Sequence, residues 1–370
     1  MRDKTKRLDI VWNITLICPW NCSICCVDAA NVKSEGNKVK ITYEGLTKEI
    51  TVKKIKGVDI YDQALKIRQK QGFELSLKEK LQVLDNLEGV DFEIDFSGGD
   101  PLVCSENLEV IKYAANKYKK ENLAVTTTGV GLSKVKSEQL VPYISELEFT
   151  YDNPEGRFDP IRPKGYNNLN LKKASLLNKQ DIKVKALTPL SKRNIAPDIL
   201  RLIYENLHLA GIEEVELIRY FPVGRGLGKN EESPSKEEYK KAIEIFKEME
   251  KEYDFPKVKL QCGLKCLYDK FDENPCKLYK ESLGITAKGI LLTCPWAIGS
   301  RGEPLDEIFI LGSLVDNHIS ELLDSEKGLY YQMRLEENFG HCKIFAYLNS
   351  NKENSFDRLF DKADPFKKID

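Results

Sequence analysis

Histidine is scarce in this chain of 370 residues: His208, His318 and His341 are the only three. So few imidazoles exclude a zinc hydrolase centre or a Ser-His-Asp arrangement. Long apolar runs are missing too, since no stretch approaches the roughly 20 residues that span a bilayer. The charged start MRDKTKRLDIVW has no apolar segment behind it, so no secretory signal is read there. Neither sign of charge dominates: Lys+Arg 57 against Asp+Glu 58 gives a net charge of −1. That balance excludes general attraction to nucleic acid or to a membrane surface. The expectation is a soluble, cytoplasmic protein with no nucleic-acid or membrane partner. Its 41% apolar residues suffice for a full core.

Cysteine is plentiful, with ten in the chain. A reducing cytosol disfavours structural disulfides, so this number needs another reason. Four lie within nine residues (Cys18, Cys22, Cys25, Cys26) and five in the last third (Cys262, Cys266, Cys276, Cys294, Cys342). Two such clusters point to metal or iron–sulfur ligation. Cys104 stands apart and reads as a buried residue at a helix start.

Between the clusters the pattern alternates. Ile10, Trp12, Ile14 and Leu16 recur with period 2, a strand running into Cys18. Residues 27–72 form a detour, within which KVKITYEGLTKEITVKK reads as an inserted β-hairpin turning at Glu44-Gly45. Ser76 and Glu79 make a capping box ahead of a leucine stripe. Strands then end at Ser97-Gly98-Gly99-Asp100-Pro101, at TTTG, at FTYDN, at ALTPL and at RYFPVGRG. Helices follow near 105–119, 133–140, 168–178 and 197–209, and Ser235 caps another reaching Tyr253. KVKLQ is read as a further short strand. Six strands each followed by a helix predict parallel βα units curled into a partial (β/α)6 TIM-like barrel over residues 1–257. A small cysteine-rich domain is expected at 258–349, and a polar, loosely held tail at 350–370.

Cys18, Cys22 and Cys25 stand at C-x3-C-x2-C. A cubane [4Fe–4S] cluster normally takes four thiolates, so three from one loop would leave an iron open to a substrate or cofactor. The alternative is a structural zinc site, with Cys26 as a fourth ligand. In a βα barrel, ligand-binding residues sit at the C-terminal ends of strands. The cysteine loop and Gly98-Gly99-Asp100 end neighbouring strands, so both fall on one rim. Glycines there let backbone groups approach a ligand closely.

On these residues the sequence resembles the radical S-adenosylmethionine (SAM) superfamily: Cys18, Cys22 and Cys25 have its cluster spacing, and SGGDP stands where that family usually has GGE. The resemblance implies a [4Fe–4S] cluster whose open iron is chelated by SAM, and reductive cleavage of SAM to methionine and a 5′-deoxyadenosyl radical. It further implies that Ser97, Gly98, Gly99 and Asp100 lie against SAM. Thr150 in FTYDN takes the serine position that contacts SAM, and keeps its hydroxyl. Arg162 matches an arginine near the SAM carboxylate. Ile24 precedes the third cysteine, where relatives often have an aromatic whose backbone faces adenine. TTTG stands for TNG, with Thr128 in place of asparagine.

Cys276, Gly289 and Cys294, in the order C-x12-G-x4-C, resemble the opening of the SPASM/Twitch extension. Gly312 and the YFPVGRG strand agree with that subgroup. The later C-x2-C-x5-C-x3-C run of a full SPASM is absent, so the resemblance implies one auxiliary [4Fe–4S] cluster. Cys276, Cys294 and Cys342 would supply three thiolates, and Cys262 or Cys266 the fourth. A zinc ribbon fits these spacings poorly. His341, beside Cys342, is read as a solvated side chain and His208 as structural. GRGLG at 224–228 lacks the GK[ST] of a P-loop.

The expected function is hydrogen abstraction from a peptide or peptide-like substrate, because SPASM-like members often mature peptides. An inserted hairpin could offer an edge for a peptide strand. The alternatives are a small-molecule substrate for the same chemistry, or a non-catalytic iron–sulfur or zinc protein. The chemistry implies a low-potential electron donor such as flavodoxin or ferredoxin.

Overall fold

Alternation builds the central strand. In β1 (Leu8–Thr15) Leu8, Ile10, Trp12 and Ile14 are fully buried, while Asp9 and Val11 between them lie on the other face. Successive strand side chains face opposite ways, so one face packs against helices and the other stays polar. The structure, a computed structural model, describes residues 7–154, 161–178, 180, 182–267 and 273–366.

After β1 the chain builds a second sheet of β2 (Ile17–Cys18), β3 (Ala30–Glu35), β4 (Lys38–Tyr43) and β5 (Lys48–Lys53), paired in that order. β4 and β5 are the expected hairpin, registered from Tyr43↔Lys48 to Lys38↔Lys53. Glu44, Gly45 and Leu46 all take positive φ at its turn. Val39 and Ile41 on its inner face pack with Ala64 and Leu65 of α1 (Ile60–Lys70). The capping box of Ser76 and Glu79 opens α2 (Leu77–Asp85) as read.

The βα rhythm then follows: β6 (Phe92–Gly98), α3 (Ser105–Lys117), β7 (Leu123–Thr127), α4 (Gly131–Lys134), β8 (Glu146–Thr150) and α5 (Tyr166–Ala174). It continues through β9 (Lys183–Leu190), α6 (Pro197–Leu209), β10 (Glu214–Arg219), α7 (Lys236–Tyr253) and β11 (Lys257–Leu260). One helix departs from expectation. The segment 133–140 holds only α4 and the 3₁₀ turn Ser137–Gln139, with a second turn, Val141–Tyr143, behind it. Pro142 in that second turn cannot donate to a continuing helix.

The cysteine-rich part adds β12 (Ser282–Ile285), β13 (Ile290–Leu292) and β14 (Ile310–Ser313). The main sheet runs β11-β10-β9-β8-β7-β6-β1-β12-β13-β14. Pairings from β11 through β12 are parallel; β12, β13 and β14 pair antiparallel. This is the expected parallel βα architecture, open between β11 and β14. β11 is an added edge strand, and β12 lies on the other side of β1.

The polar face of this sheet is charged. Lys185 stands 2.8 Å from Glu146 and 3.5 Å from Glu216, and also pairs with Glu148. Burial, helped by the Glu93 carboxylate, raises Asp9 to about 6. Burial raises Asp95 likewise to about 6, against a hydrogen bond from Thr126.

The tail is not loosely held where it is described. Residues Ser355–Leu359 form a helix, and Leu359, Phe360, Asp364 and Phe366 are buried. Leu359, Phe360, Phe366 and Asp364 dock it, which mean polarity conceals.

Candidate active site

β1 and β2 deliver the first cysteine set to one end of the sheet. Cys18 and Cys22 are buried, Cys25 is half-buried and Cys26 exposed, all as free thiols. Burial raises Cys18 and Cys22 most, and neighbouring thiols of the set add to it. Two sulfurs accept backbone N–H groups: Trp20 N–H to Cys18 Sγ and Ala29 N–H to Cys25 Sγ, each 3.4 Å. Hydrogen bonds to sulfur stabilise negative charge there and tune iron–sulfur clusters. The donor set therefore fits a thiolate-held cluster.

β6 ends beside this loop. Gly99 N–H donates to Thr15 O and Asp100 N–H to Ile17 O, each at 2.8 Å. A Cβ on Gly98 would lie 2.1 Å from Thr15 O, and one on Gly99 2.2 Å from Ile17 O. The glycines thus let β6 close onto the chain just before Cys18. Ser97 lies opposite Asn13 of β1 in the register. Asp100 is fully buried and its carboxylate is occupied. Thr127 and Thr128 donate their hydroxyls at 2.6 Å, and the N–H groups of Leu102 and Gly131 at 3.2 and 3.1 Å. Its side chain binds β6 to the exit of β7. Thr128 also accepts from Trp20 Nε1 at 3.1 Å, which brings the CPWNC loop into the same network.

At the exit of β8, Arg162 donates to Asp152 Oδ2 through Nε at 2.9 Å and Nη2 at 2.6 Å. Its guanidinium also hydrogen-bonds the Cys22 thiol, opposing the upward push of burial. It lies 4.9 Å from the Tyr166 ring centroid, and Trp20 meets that ring edge-on at 5.4 Å. The Thr150 hydroxyl hydrogen-bonds the Tyr166 phenol. Ile24 packs in a small buried cluster with Ile161 and Tyr220. Thr150 and Arg162 thus meet around Cys22, with Ile24 in the same cysteine loop. Trp20, Asp152 and Tyr166 join them, though sequence reading gave these three no role. Their signal was proximity to quoted motifs, CPWNC and FTYDN.

The second set also converges. Gly289, at φ +74°, makes the turn between β12 and β13. Tyr279 N–H donates to Thr293 O at 2.7 Å, joining the segments that carry Cys276 and Cys294. Cys262 lies within electrostatic reach of Cys276 and Cys294, and Cys342 of Cys276 and Cys262. A hydrogen bond from the Cys342 thiol is the main cause holding Cys276 down to about 5. Backbone N–H groups of Lys343 and Leu278 point at Cys276, and that of Trp296 at Cys294. Cys266 turns its thiol onto Cys262 O at 3.4 Å. His341 is buried, not solvated, because the tail packs over this region. Among the described residues, no three His, Cys, Asp or Glu side chains are grouped to hold a single metal ion. None of the described helices is long and apolar enough to cross a membrane. Cys104 is buried at the start of α3 as expected.

No family model and no curated protein matches the sequence. Solved structures share the fold. Native anSMEcpe with bound AdoMet aligns over 95% of this chain and 96% of its own, with a TM-score of 0.60 at 14% identity. The same protein with AdoMet and the Cp18Cys peptide aligns over 96% of each chain, at 0.59 and 12%. SuiB of Streptococcus suis bound to precursor peptide SuiA aligns over 88% of this chain and 66% of its own, at 0.60 and 11%. At these identities the likeness is one of fold.

Proposed function

We propose that this chain is a radical SAM enzyme acting on a peptide. The observation that carries the reading is the three-thiol loop at the exit of β1, with backbone N–H groups aimed at its sulfurs. It lies on a fold shared with anSMEcpe, which is described with bound AdoMet. A [4Fe–4S] cluster with an open iron supplies, when bound, one electron to SAM and so a 5′-deoxyadenosyl radical that abstracts hydrogen. Cys18, Cys22 and Cys25 would hold it. Arg162, already charge-paired with Asp152, would orient the SAM carboxylate. The Trp20 and Tyr166 rings would keep water from that end of the site.

An auxiliary cluster is assigned to Cys262, Cys276, Cys294 and Cys342. Cys276 is within electrostatic reach of Cys262, Cys266, Cys294 and Cys342 alike, and Cys262 is preferred to Cys266 because the Cys266 thiol is engaged with Cys262 O in its own helix turn. Peptide is favoured as substrate because two neighbours on this fold are described with peptides.

The test uses protein purified and reconstituted without oxygen. Iron and sulfide are counted per chain, then SAM and dithionite are added and 5′-deoxyadenosine is sought. About eight irons with that product support two clusters and radical initiation. About four irons with it remove the auxiliary cluster but keep the enzyme. Zinc without SAM cleavage overturns the proposal.

A further inference from the structure

Arg225 lies in GRGLG beyond β10, yet its guanidinium serves a segment about 200 residues earlier. Nη1 donates to Cys22 O at 2.6 Å, Nη2 to Ala29 O, and Nε to Asp28 Oδ1 at 2.9 Å. Its backbone N–H donates to Cys25 O at 2.8 Å. Gly224, at φ +57°, fits beneath the loop only because it has no side chain: a Cβ would stand 2.3 Å from Cys26 O. The Arg225 and Asp28 side chains are 3% and 1% exposed.

Asp28 is itself a junction. Its two oxygens each lie 3.0 Å from Gly45 N, in the hairpin turn. It also accepts from Arg301 N–H at 2.8 Å and Ser300 Oγ at 3.3 Å, both from the cysteine-rich part. One carboxylate thus gathers the hairpin, the barrel exit and the segment after Cys294 around the cysteine loop. A guanidinium presents its N–H groups in a rigid planar fork, which a lysine ammonium does not reproduce. None of these contacts uses a thiol, so they shape the loop while leaving its sulfurs free.

We propose that Arg225, oriented by Asp28, is a positioning residue that sets the Cys22–Cys25 loop in its cluster-binding shape before any cluster arrives. The inference rests on the radical SAM reading above.

The test compares full-length wild type with Arg225→Met, Arg225→Lys and Asp28→Asn, all reconstituted without oxygen. Three quantities are read: iron per chain, melting temperature, and the change that SAM causes in the electron paramagnetic resonance signal of the reduced protein. Arg225→Met is expected to lose about four irons, one cluster's worth, together with the SAM-dependent change. Arg225→Lys should regain iron but show an altered response to SAM. Asp28→Asn is nearly isosteric and decides the matter if Arg225→Met fails to fold: its melting temperature should fall, yet the folded protein that keeps full iron should show a SAM response several-fold below wild type. Full iron and a wild-type SAM response in these variants overturn the proposal. So does equal loss from both cysteine sets, which would mark general support of the fold. A wild type without any SAM response overturns the enzyme reading, and the proposal with it.

Discussion

Arg219 donates to both carboxylate oxygens of Asp364, at 3.1 and 2.9 Å, with both side chains fully buried. The guanidinium is stacked between Phe345 and Phe366, 3.3 and 3.5 Å from their ring centroids. Asp364 Oδ2 also accepts the Cys342 N–H at 2.9 Å. The end of β10, the tail and the second cysteine set are thereby joined.

Removing one member of a buried pair strands the other's charge, at a cost of about 3–5 kcal/mol. Asp364→Ala is expected to lose stability on that scale in urea unfolding. The double variant Arg219→Met/Asp364→Leu should recover most of it. A loss below about 1 kcal/mol in the single variant would show the pair to be dispensable.

The two cysteine sets should separate chemically. Cys22→Ala is expected to remove about four irons and abolish 5′-deoxyadenosine formation. Cys294→Ala should remove as many irons but leave SAM cleavage measurable. Cys266→Ala should leave the iron content unchanged. Iron loss in Cys266→Ala equal to that in Cys262→Ala would refute the assigned ligand set.

Asp95 gives the fold a pH dependence of definite sign. Its folded pKa, near 6, lies above the ordinary 3.8. The folded state therefore holds its proton to higher pH than the unfolded chain, and its contribution to stability falls as pH rises from about 4 to about 6. Asp9 acts in the same direction. Asp95→Asn stays neutral throughout, so its melting temperature should gain on wild type across that window and hold the gain above it. Calorimetric scans at several pH values check this; a constant difference between the two proteins would contradict it.

If the hairpin docks a peptide, deleting residues 36–56 should raise KM for the substrate about tenfold or more. Uncoupled SAM cleavage should remain within a few-fold of wild type. β5 is the exposed edge strand of its sheet, so its outer backbone groups are open to strand addition. Equal loss of both activities would argue that the hairpin serves the cysteine loop through Gly45 and Asp28 alone.

The barrel strands were legible because each alternates cleanly, as Phe92, Ile94 and Phe96 do against Glu93 and Asp95. The hairpin, the capping box of α2 and the Ser235 cap of α7 were local signals and appear as read. Long-range pairings left no such trace. Asp28 and Arg225 are 197 residues apart, and Arg219 and Asp364 are 145 apart. Nothing in the composition of either neighbourhood announces the other. Asp100 was legible as part of its motif, but nothing there announced the two threonine hydroxyls and two backbone N–H groups that its carboxylate oxygens take. Periodicity reveals which face a residue occupies, not which partner satisfies it.

The parallel pairing of β12 with β1, from Asp9↔Ser282 to Trp12↔Ile285, bears on how the chain is made. During synthesis the first strand emerges long before its neighbour on that side. Its edge stays unpaired, with backbone groups able to join a strand of another molecule, until the last third of the chain appears. Such distant contacts slow folding, because a long loop must close before they form. A fragment ending near residue 257 would carry that bare edge permanently, so aggregation of the truncated chain is the consequence built into the sheet order.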